Sequence, residues 1–319
     1  MASTLADLVV SSSDEYERGV VERFKLTSDF IRLCPMKPIK SRDYRYRVEE
    51  VLPGVAWRDV NEGYAESTGV IAPRIETTMI CGGDVFTDNA LIAAQQRGGD
   101  AYDLKREQYD LKAKALAREI ERAYFEGDDL VNPKEMAGLR RRLTGNQVIP
   151  VSAGGGPLTL PLLDSLIDAI DPSLGQIHLW MNSWLNRKVN NLLLAQTGAA
   201  HVAYDSLDEM GRLVRRYGGA QIHVVADGWD NSTLLAFDED PGDGTPDTAS
   251  IYATVFDEQM GVCGLITGGD GSPLVDVREV GETTASGAAP GIVGRIECYP
   301  GLMVKSPRCA ARLRAITQA

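Results

Sequence analysis

Apolar and polar side chains alternate from Ser41 to Val51, a period of two that predicts a β-strand. Tyr44, Tyr46 and Val48 fall on one face, and Arg45, Arg47 and Glu49 on the other. A returning strand is expected from Val70 to Cys81, where β-branched Val, Ile and Thr gather. Between the two lies turn chemistry: Pro53-Gly54, Asn61-Glu62-Gly63 and Thr68-Gly69. The pattern is that of a long hairpin over residues 41–80 with no core of its own. A lone two-stranded hairpin is marginal in water, so something must cover the tyrosine face. Few nearby segments look able to, and the expected cover is another copy of the same chain. Trp57, Arg58 and Tyr64 are read as contact residues of the tip, together with Tyr44 and Tyr46 on the strand.

Beyond the hairpin the period changes to that of a helix. Gly98-Gly99-Asp100 offers an N-cap at Asp100. Tyr102, Tyr109, Ala113, Leu116, Ile120 and Ala123/Tyr124 then recur at helical spacing as one apolar stripe. Asp110 with Lys114 and Glu119 with Arg122 are ion pairs of the wet side, and Gly127 is the expected C′ residue. A helix over about residues 100–126 would be on the order of 40 Å long, a strut. Tyr109, Leu116, Ile120 and Tyr124 are its packing residues, expected to bear on the β-structure of their own subunit.

The first 35 residues read as an arm. A short helix opens at Ser13, Asp14 and Glu15, with Val20, Val21 and Phe24 as its apolar residues. A second short piece starts at Thr27, Ser28 and Asp29 and ends at Pro35. The arm either packs on its own domain or straps onto a neighbour; the sharper reading makes Val20, Val21 and Phe24 intersubunit contacts. The middle reads as a compact α/β region. A helix capped by Thr159 runs through Ile170, a strand covers Ile177–Met181, and a helix opens at Ser183. Ser206 to Glu209 resembles a capping box for a helix through Tyr217, followed by a strand at Gln221–Ala226. The last third is strand-rich: Ile251–Phe256, Val262–Thr267, Leu274–Val280, Ile292–Tyr299 and Leu302–Val304. A Pro300-Gly301 turn joins the last two, and Asp238–Asp247 is an acidic excursion expected to be exposed.

Composition narrows the classes. A chain of 319 residues, 44% hydrophobic, can bury a good core in one or two domains. Its net charge of −12 and isoelectric point of about 4.8 repel nucleic acid rather than attract it. Arg140, Arg141 and Arg142 are the only tight basic cluster and read as ion-pairing or subunit-contact residues. Five widely spaced cysteines without a CxxC pair read as small buried hydrophobes. No run approaches the length of a membrane span and no signal-peptide core is present, so a soluble protein without membrane contact is expected.

Signals of catalysis are missing. No GxGxxG, GxxxxGK[ST], HExxH or GxSxG occurs. Gly154, Gly155 and Gly156 run into Pro157, which lacks the N–H a phosphate cradle would use, and read as a flexible turn. His178, His201 and His223 lie in or beside expected strands and read as structural. The loop from Asp238 to Gly244 misses the acid spacing of a calcium site. No catalytic, cofactor-binding or metal-binding residue is therefore assigned.

The order of arm, hairpin, long helix, α/β region and strand-rich return resembles tailed-bacteriophage major capsid proteins of the Hong Kong 97 fold. The stretches that carry it are Glu17–Glu22 (ERGVVE), Leu52–Arg58 (LPGVAWR), Val60–Tyr64 (VNEGY), Arg140–Gln147 (RRRLTGNQ), Cys298–Leu302 (CYPGL) and Pro307–Leu313 (PRCAARL). The likeness spans nearly the whole chain, and its specificity lies in the order and spacing of these stretches. It implies an α+β fold of five parts. These are an N-arm (1–35), an extended β-hairpin E-loop (36–82), a P-domain with a spine helix (83–150), an α/β A-domain (151–290) and a C-terminal return to the P-domain (291–319). It further implies pentamers and hexamers closing into an icosahedral shell around double-stranded DNA in a virion. Such shells are assembled in the bacterial cytoplasm with scaffold and portal partners, and some take a decoration protein. The acidic chain suits a container that holds its DNA only weakly. Because the arm begins within about 15 residues of Met1, a separate scaffolding protein is expected rather than a cleaved N-terminal one. Encapsulins, which share the fold, are the nearest alternative, and a soluble α/β enzyme is the alternative from another class. The resemblance also bears on shell chemistry. The type member of the fold is held by lysine–asparagine bonds formed from an E-loop lysine. Between Ser41 and Leu104 this chain has no lysine, and Lys37 and Lys40 sit at the hairpin base.

Overall fold

The computed structural model describes residues 27–98, 104–195, 203–207, 213–225, 233–268, 275–282 and 289–318. Val20, Val21, Phe24, Asp100, Tyr102 and His201 lie outside them. In chain order the first elements are helix α1 (Asp29–Leu33), strands β1 (Met36–Ile39), β2 (Asp43–Val51), β3 (Val70–Thr77) and β4 (Cys81–Asp88), and helices α2 (Asn89–Gly98) and α3 (Leu104–Glu126). Next come α4 (Leu139–Arg142), β5 (Val148–Pro150), α5 (Leu160–Asp168), β6 (Ile177–Met181) and α6 (Ser183–Ala195). Strands then dominate: β7 (Ala203–Leu207), β8 (Leu213–Tyr217), β9 (Ala220–Val224), β10 (Thr248–Val255), β11 (Val262–Thr267), β12 (Asp276–Glu282), β13 (Gly291–Cys298), β14 (Pro300–Val304) and β15 (Ala310–Thr317).

The strands form a seven-stranded sheet in the order β5-β15-β10-β6-β9-β8-β7, two three-stranded sheets, β1-β11-β14 and β12-β13-β4, and the β2-β3 hairpin. The fold is thus mixed α+β. Helix α3, 23 residues and therefore roughly 35 Å, lies along the β12-β13-β4 sheet. Its apolar stripe is buried as its spacing requires: Tyr109, Ala113, Leu116, Ile120, Ala123 and Tyr124 are each at most 7% exposed. A glycine makes the approach possible, because a Cβ on Gly294 of β13 would overlap the Tyr109 hydroxyl. At the helix's end Gly127 is needed for a different reason than the expected left-handed cap. A side chain there would strike the carbonyls of Ala123 and Met136, where the loop to Gly138 folds back.

One side chain ties the arm to the rest. Ser28 caps α1 through its hydroxyl, which accepts from the Ile31 N–H at 3.3 Å. Fully buried Phe30 then stands with its ring 5.0–5.3 Å from those of Tyr124, Phe125, Trp180 and Phe256. The described end of the arm therefore packs on its own subunit, joining the long helix to the seven-stranded sheet.

Several sequence expectations are corrected. The segment from Ser206 to Tyr217 supplies strands β7 and β8, paired antiparallel from Ala203↔Tyr217 to Leu207↔Leu213, where a helix was expected. Tyr217, buried with its hydroxyl 2.7 Å from Asp164 of α5, is anchored by tertiary contact, which outweighs the local cap signal. Pro300-Gly301 closes no hairpin, since Tyr299–Pro300 is where the chain leaves one three-stranded sheet for the other. The unforeseen β15 is an inner strand of the seven-stranded sheet, so the chain ends in the middle region's sheet and not beside the long helix. Its Ala, Leu and Arg residues are good helix formers, and only the flanking strands make it extended. The expected return strand breaks after Thr77: Cys81 starts β4, which pairs with β13. The acidic excursion is pinned rather than fully exposed. Glu239 is 4% exposed and accepts from Arg312 at 2.6 Å and Ser250 at 2.5 Å. Nor is the glycine run merely flexible: Gly155, at φ +81, and Gly156 dock on Thr317, Thr248 and Ala315 of the sheet.

Candidate assembly surface

The hairpin has two unlike ends. At its root the tyrosine face is covered by the chain itself, which corrects the expectation that it is free for a neighbour. Tyr46 and Val48 are each 6% exposed, and with Tyr44 they close a small core with Ile39, Cys263, Leu265 and Met303. The Lys37 ammonium donates to the Tyr44 hydroxyl at 2.8 Å, a bond that raises the lysine's pKa. Tyr46 donates to Glu76 Oε1 at 3.0 Å, and burial with the adjacent carboxylate pushes its phenol well up. Glu76 of β3 takes both guanidinium nitrogens of Arg142, whose Nε donates to the Ala137 carbonyl at 2.6 Å. Mostly buried on both sides, this pair bolts the hairpin to α4. Thr78 and Thr267 hydroxyls, 2.5 Å apart, add a second tie. Tyr44 and Tyr46 are thus root residues, not a free contact face.

The far end is the reverse. The strands of β2 carry the tip on the order of 25–30 Å from the root. There Leu52, Val55, Trp57 and Val60 are all more than three-quarters exposed, Tyr64 is 65% exposed, and Val51, Val70, Ile71 and Ile75 extend the apolar surface down the strands. The tip is nonetheless held together. The Arg58 guanidinium lies 5.4 Å over the Tyr64 ring and donates to the Glu62 carbonyl, while Ser67 donates to the Gly54 carbonyl at 2.9 Å. Asn61 takes the left-handed conformation, φ 69°, that the turn requires. A preformed apolar tip is complementary to a protein surface. The sequence singled out Trp57, Arg58 and Tyr64 in this tip and passed over Leu52, Val55 and Val60, which are exposed beside them. Their signal was density of apolar residues in a segment of turn chemistry, not periodicity.

Two recesses flank the root. One, about 540 Å³, lies between the hairpin and the Lys305–Arg308 turn and is lined by Tyr46, Arg74, Arg142, Asn146 and Arg308. The other, about 190 Å³, is lined by Met79, Ile80, Cys81, Ile120, Ala123, Met136 and Pro300, with Glu119, Lys134 and Glu135 at its rim.

The remaining polar residues serve the fold. Arg140 faces Glu239 at 3.8 Å, Arg141 faces Asp129 at 3.5 Å and Arg142 holds Glu76, so the basic cluster is an ion-pairing one. His178 and His223 share a hydrogen bond of 3.0 Å across β6 and β9, stacked on Trp180. The five cysteines are free; burial pushes Cys81 and Cys309 up to about 11 and Cys263 to about 12, which leaves unreactive thiols. In the acidic loop Asp240 spends its carboxylate on the N–H groups of Gly242 and Gly244, which lowers its pKa. Among the described residues no group of three metal-capable side chains occurs, and no helix is long and apolar enough to cross a membrane.

No family model and no curated protein matches the sequence. Solved structures do match in shape. The SrpI encapsulin of Synechococcus elongatus PCC 7942 aligns with a TM-score of 0.63 at 16% identity, over 91% of this chain and 88% of that one. A chain solved for Microbacterium phage Oxtober96 aligns at 0.61 and 16% identity, covering 91% and 90%. The capsid of an empty GTA particle aligns at 0.60 and 14%, covering 91% of this chain and 90% of that one. At such identities the likeness is one of fold, and it takes in both chains almost end to end.

Proposed function

We propose, for a chain that has the Hong Kong 97 type capsid fold, that it is a phage major capsid protein building the icosahedral head shell around double-stranded DNA. The observation that carries this is the apolar tip at the end of the hairpin, which the chain's own root and domains leave uncovered. A lone subunit would keep that surface in water; a shell of copies removes it. The working unit is then a pentamer or hexamer of the chain, with contacts through Trp57, Arg58 and Tyr64. The arm's Val20, Val21 and Phe24 reach neighbours. Scaffold and portal proteins assist assembly in the host cytoplasm, a decoration protein can add to the finished virion, and the acidic surface keeps contact with packed DNA weak. In this reading the chain is structural, and no catalytic, cofactor or metal site is assigned to it.

The test is particle formation. The purified chain should elute far above 34.6 kDa and give closed shells in negative stain. Deleting residues 50–70 should leave a folded, soluble subunit that makes none. A wild-type chain that stays monomeric at every concentration, as a soluble enzyme could, or normal shells from the deletion, would overturn the proposal. The fit to an encapsulin favours a second reading, a nanocompartment shell. Particles taken from the producing cell separate the two: nuclease-protected double-stranded DNA marks a head, enclosed protein cargo a compartment.

A further inference from the structure

Two of the five cysteines oppose each other across a sheet. Cys81 opens β4, Cys298 closes β13, and they are direct partners in the antiparallel ladder. At one end of that ladder the Asn89 N–H donates to the Pro290 carbonyl at 3.1 Å. Just past the other end the Met79 N–H donates to the Pro300 carbonyl at 2.9 Å. Hydrogen-bonded pairs recur at every second residue, so Cys81↔Cys298 is one of them, with Cα atoms about 5.5 Å apart. Disulfides most often span about 5.5–6 Å between Cα atoms. Directly opposed residues also share a face of the sheet. Here it is the face under α3: Cys298 belongs to the core that holds Tyr109 and Ile120, and Cys81 packs against that core.

We propose that Cys81 and Cys298 are an oxidisable pair, which a peroxide closes to a disulfide between β4 and β13, clamping the place where the hairpin enters the body. The bond lies within one chain, so it stands or falls apart from the shell reading. The smaller recess gives the oxidant its route, because Cys81 lines it and is partly exposed, whereas Cys298 is 1% exposed. One thiol meets the reagent and the other resolves it. The Cys81 thiolate attacks a peroxide oxygen, the O–O bond breaks, and the leaving hydroxide takes up a proton as water. Cys81 is then a sulfenic acid. The Cys298 sulfur attacks the Cys81 sulfur, the S–O bond breaks, and a second water leaves. Two thiols have lost two electrons and two protons, and hydrogen peroxide has become two waters. Opposed Cβ atoms stand about 4.5–5.5 Å apart, and a disulfide needs about 3.5–4.5 Å. Gly82, beside Cys81, lets the backbone close that gap: the strands already run so near that a Cβ on it would lie 2.9 Å from the Glu297 Cα. Burial keeps both thiols protonated at neutral pH, Cys81 up to about 11, so closure is slow there and quickens in alkali. The same poor leaving groups make the closed bond slow to open. Cys34 and Cys263 also lie close, both donating to the Pro35 carbonyl at 3.7 and 3.3 Å, but each is buried and lines neither recess.

Thiol counting on the unaltered full chain tests this. The purified protein is treated with hydrogen peroxide at about pH 9, quenched with catalase, and alkylated as it is denatured. It should take label at three of its five thiols, and at all five after dithiothreitol. A digest kept unreduced should contain the Cys81 peptide joined to the Cys298 peptide. In Cys81→Ser the four remaining thiols should all label after the same treatment. Five labelled thiols in the treated native chain, label lost without the joined peptide, or a link to any other cysteine overturns the inference. The clamp is read from the thermal midpoint, which should stand several degrees higher in the oxidised chain than in the reduced one, with no such difference in Cys81→Ser. Equal midpoints with the joined peptide present refute the clamp.

Discussion

Replacing Arg142 by Met isolates the bolt that holds the hairpin to the body. In the native structure Glu76 and Arg142 are 12% and 16% exposed, joined by two hydrogen bonds, and Tyr46 donates to the same carboxylate. Arg142→Met keeps the side-chain stem but leaves the Glu76 carboxylate with the tyrosine alone and orphans the Ala137 carbonyl. Breaking one half of a fully buried pair costs about 3–5 kcal/mol; with the small remaining exposure, about 2–3 kcal/mol is expected here. Removing both charges, Glu76→Leu with Arg142→Met, eliminates the stranded carboxylate, so the double variant should lie nearer wild type than the sum of the single ones. The coupling should be on the order of 2 kcal/mol. Urea denaturation of the unassembled subunit, followed by tryptophan fluorescence, supplies the four values of the cycle. The same proteins should be scored for shell formation, because a hairpin freed at its root presents its tip at no fixed angle. If Arg142→Met unfolds within about 0.5 kcal/mol of wild type, or the two substitutions simply add, the pair is not the bolt described.

Further outcomes follow from other sites. Leu116→Asp buries a charge on the packed face of α3 and should cost several kcal/mol, seen as loss of soluble subunit; wild-type solubility and stability would refute the assigned face. Glu121 is 4% exposed beneath Ser28, and burial raises its carboxyl from the usual 4.5 to about 7. The folded state thus holds the proton more tightly, and its stabilisation, full below pH 4.5, is lost as the pH rises through 7. Glu121→Gln should flatten the pH dependence of the thermal midpoint in that window, and an unchanged slope would contradict the assignment. With no lysine between Ser41 and Leu104, boiled, reduced particles should run as one band near 34.6 kDa, and a covalent ladder would show that isopeptide bonds form after all. At pH 8 the buried thiols of Cys263 and Cys309 should resist alkylation in the folded subunit; rapid labelling of Cys309 would place it at the surface.

Periodicity by itself determined the hairpin, the long helix and its buried face, because both patterns record which side of an element meets a core. Tyr46, Val48, Leu116 and Ile120 are buried in the positions their spacing assigns. What covers those faces was not legible. Alternation at Tyr44 and Tyr46 says that a partner exists, and only the tertiary structure shows it to be Ile39, Leu265 and Met303 of the same chain. Strand β15 was invisible for the converse reason. Its alanines and arginines favour a helix locally, and its extended state is set by β10 and β5 on either side. The bolt between Glu76 and Arg142 joins residues far apart in sequence, each unremarkable among its neighbours. Local sequence encodes the burial an element needs, whereas the identity of what buries it depends on contacts between distant segments, which form only when the whole chain closes around them.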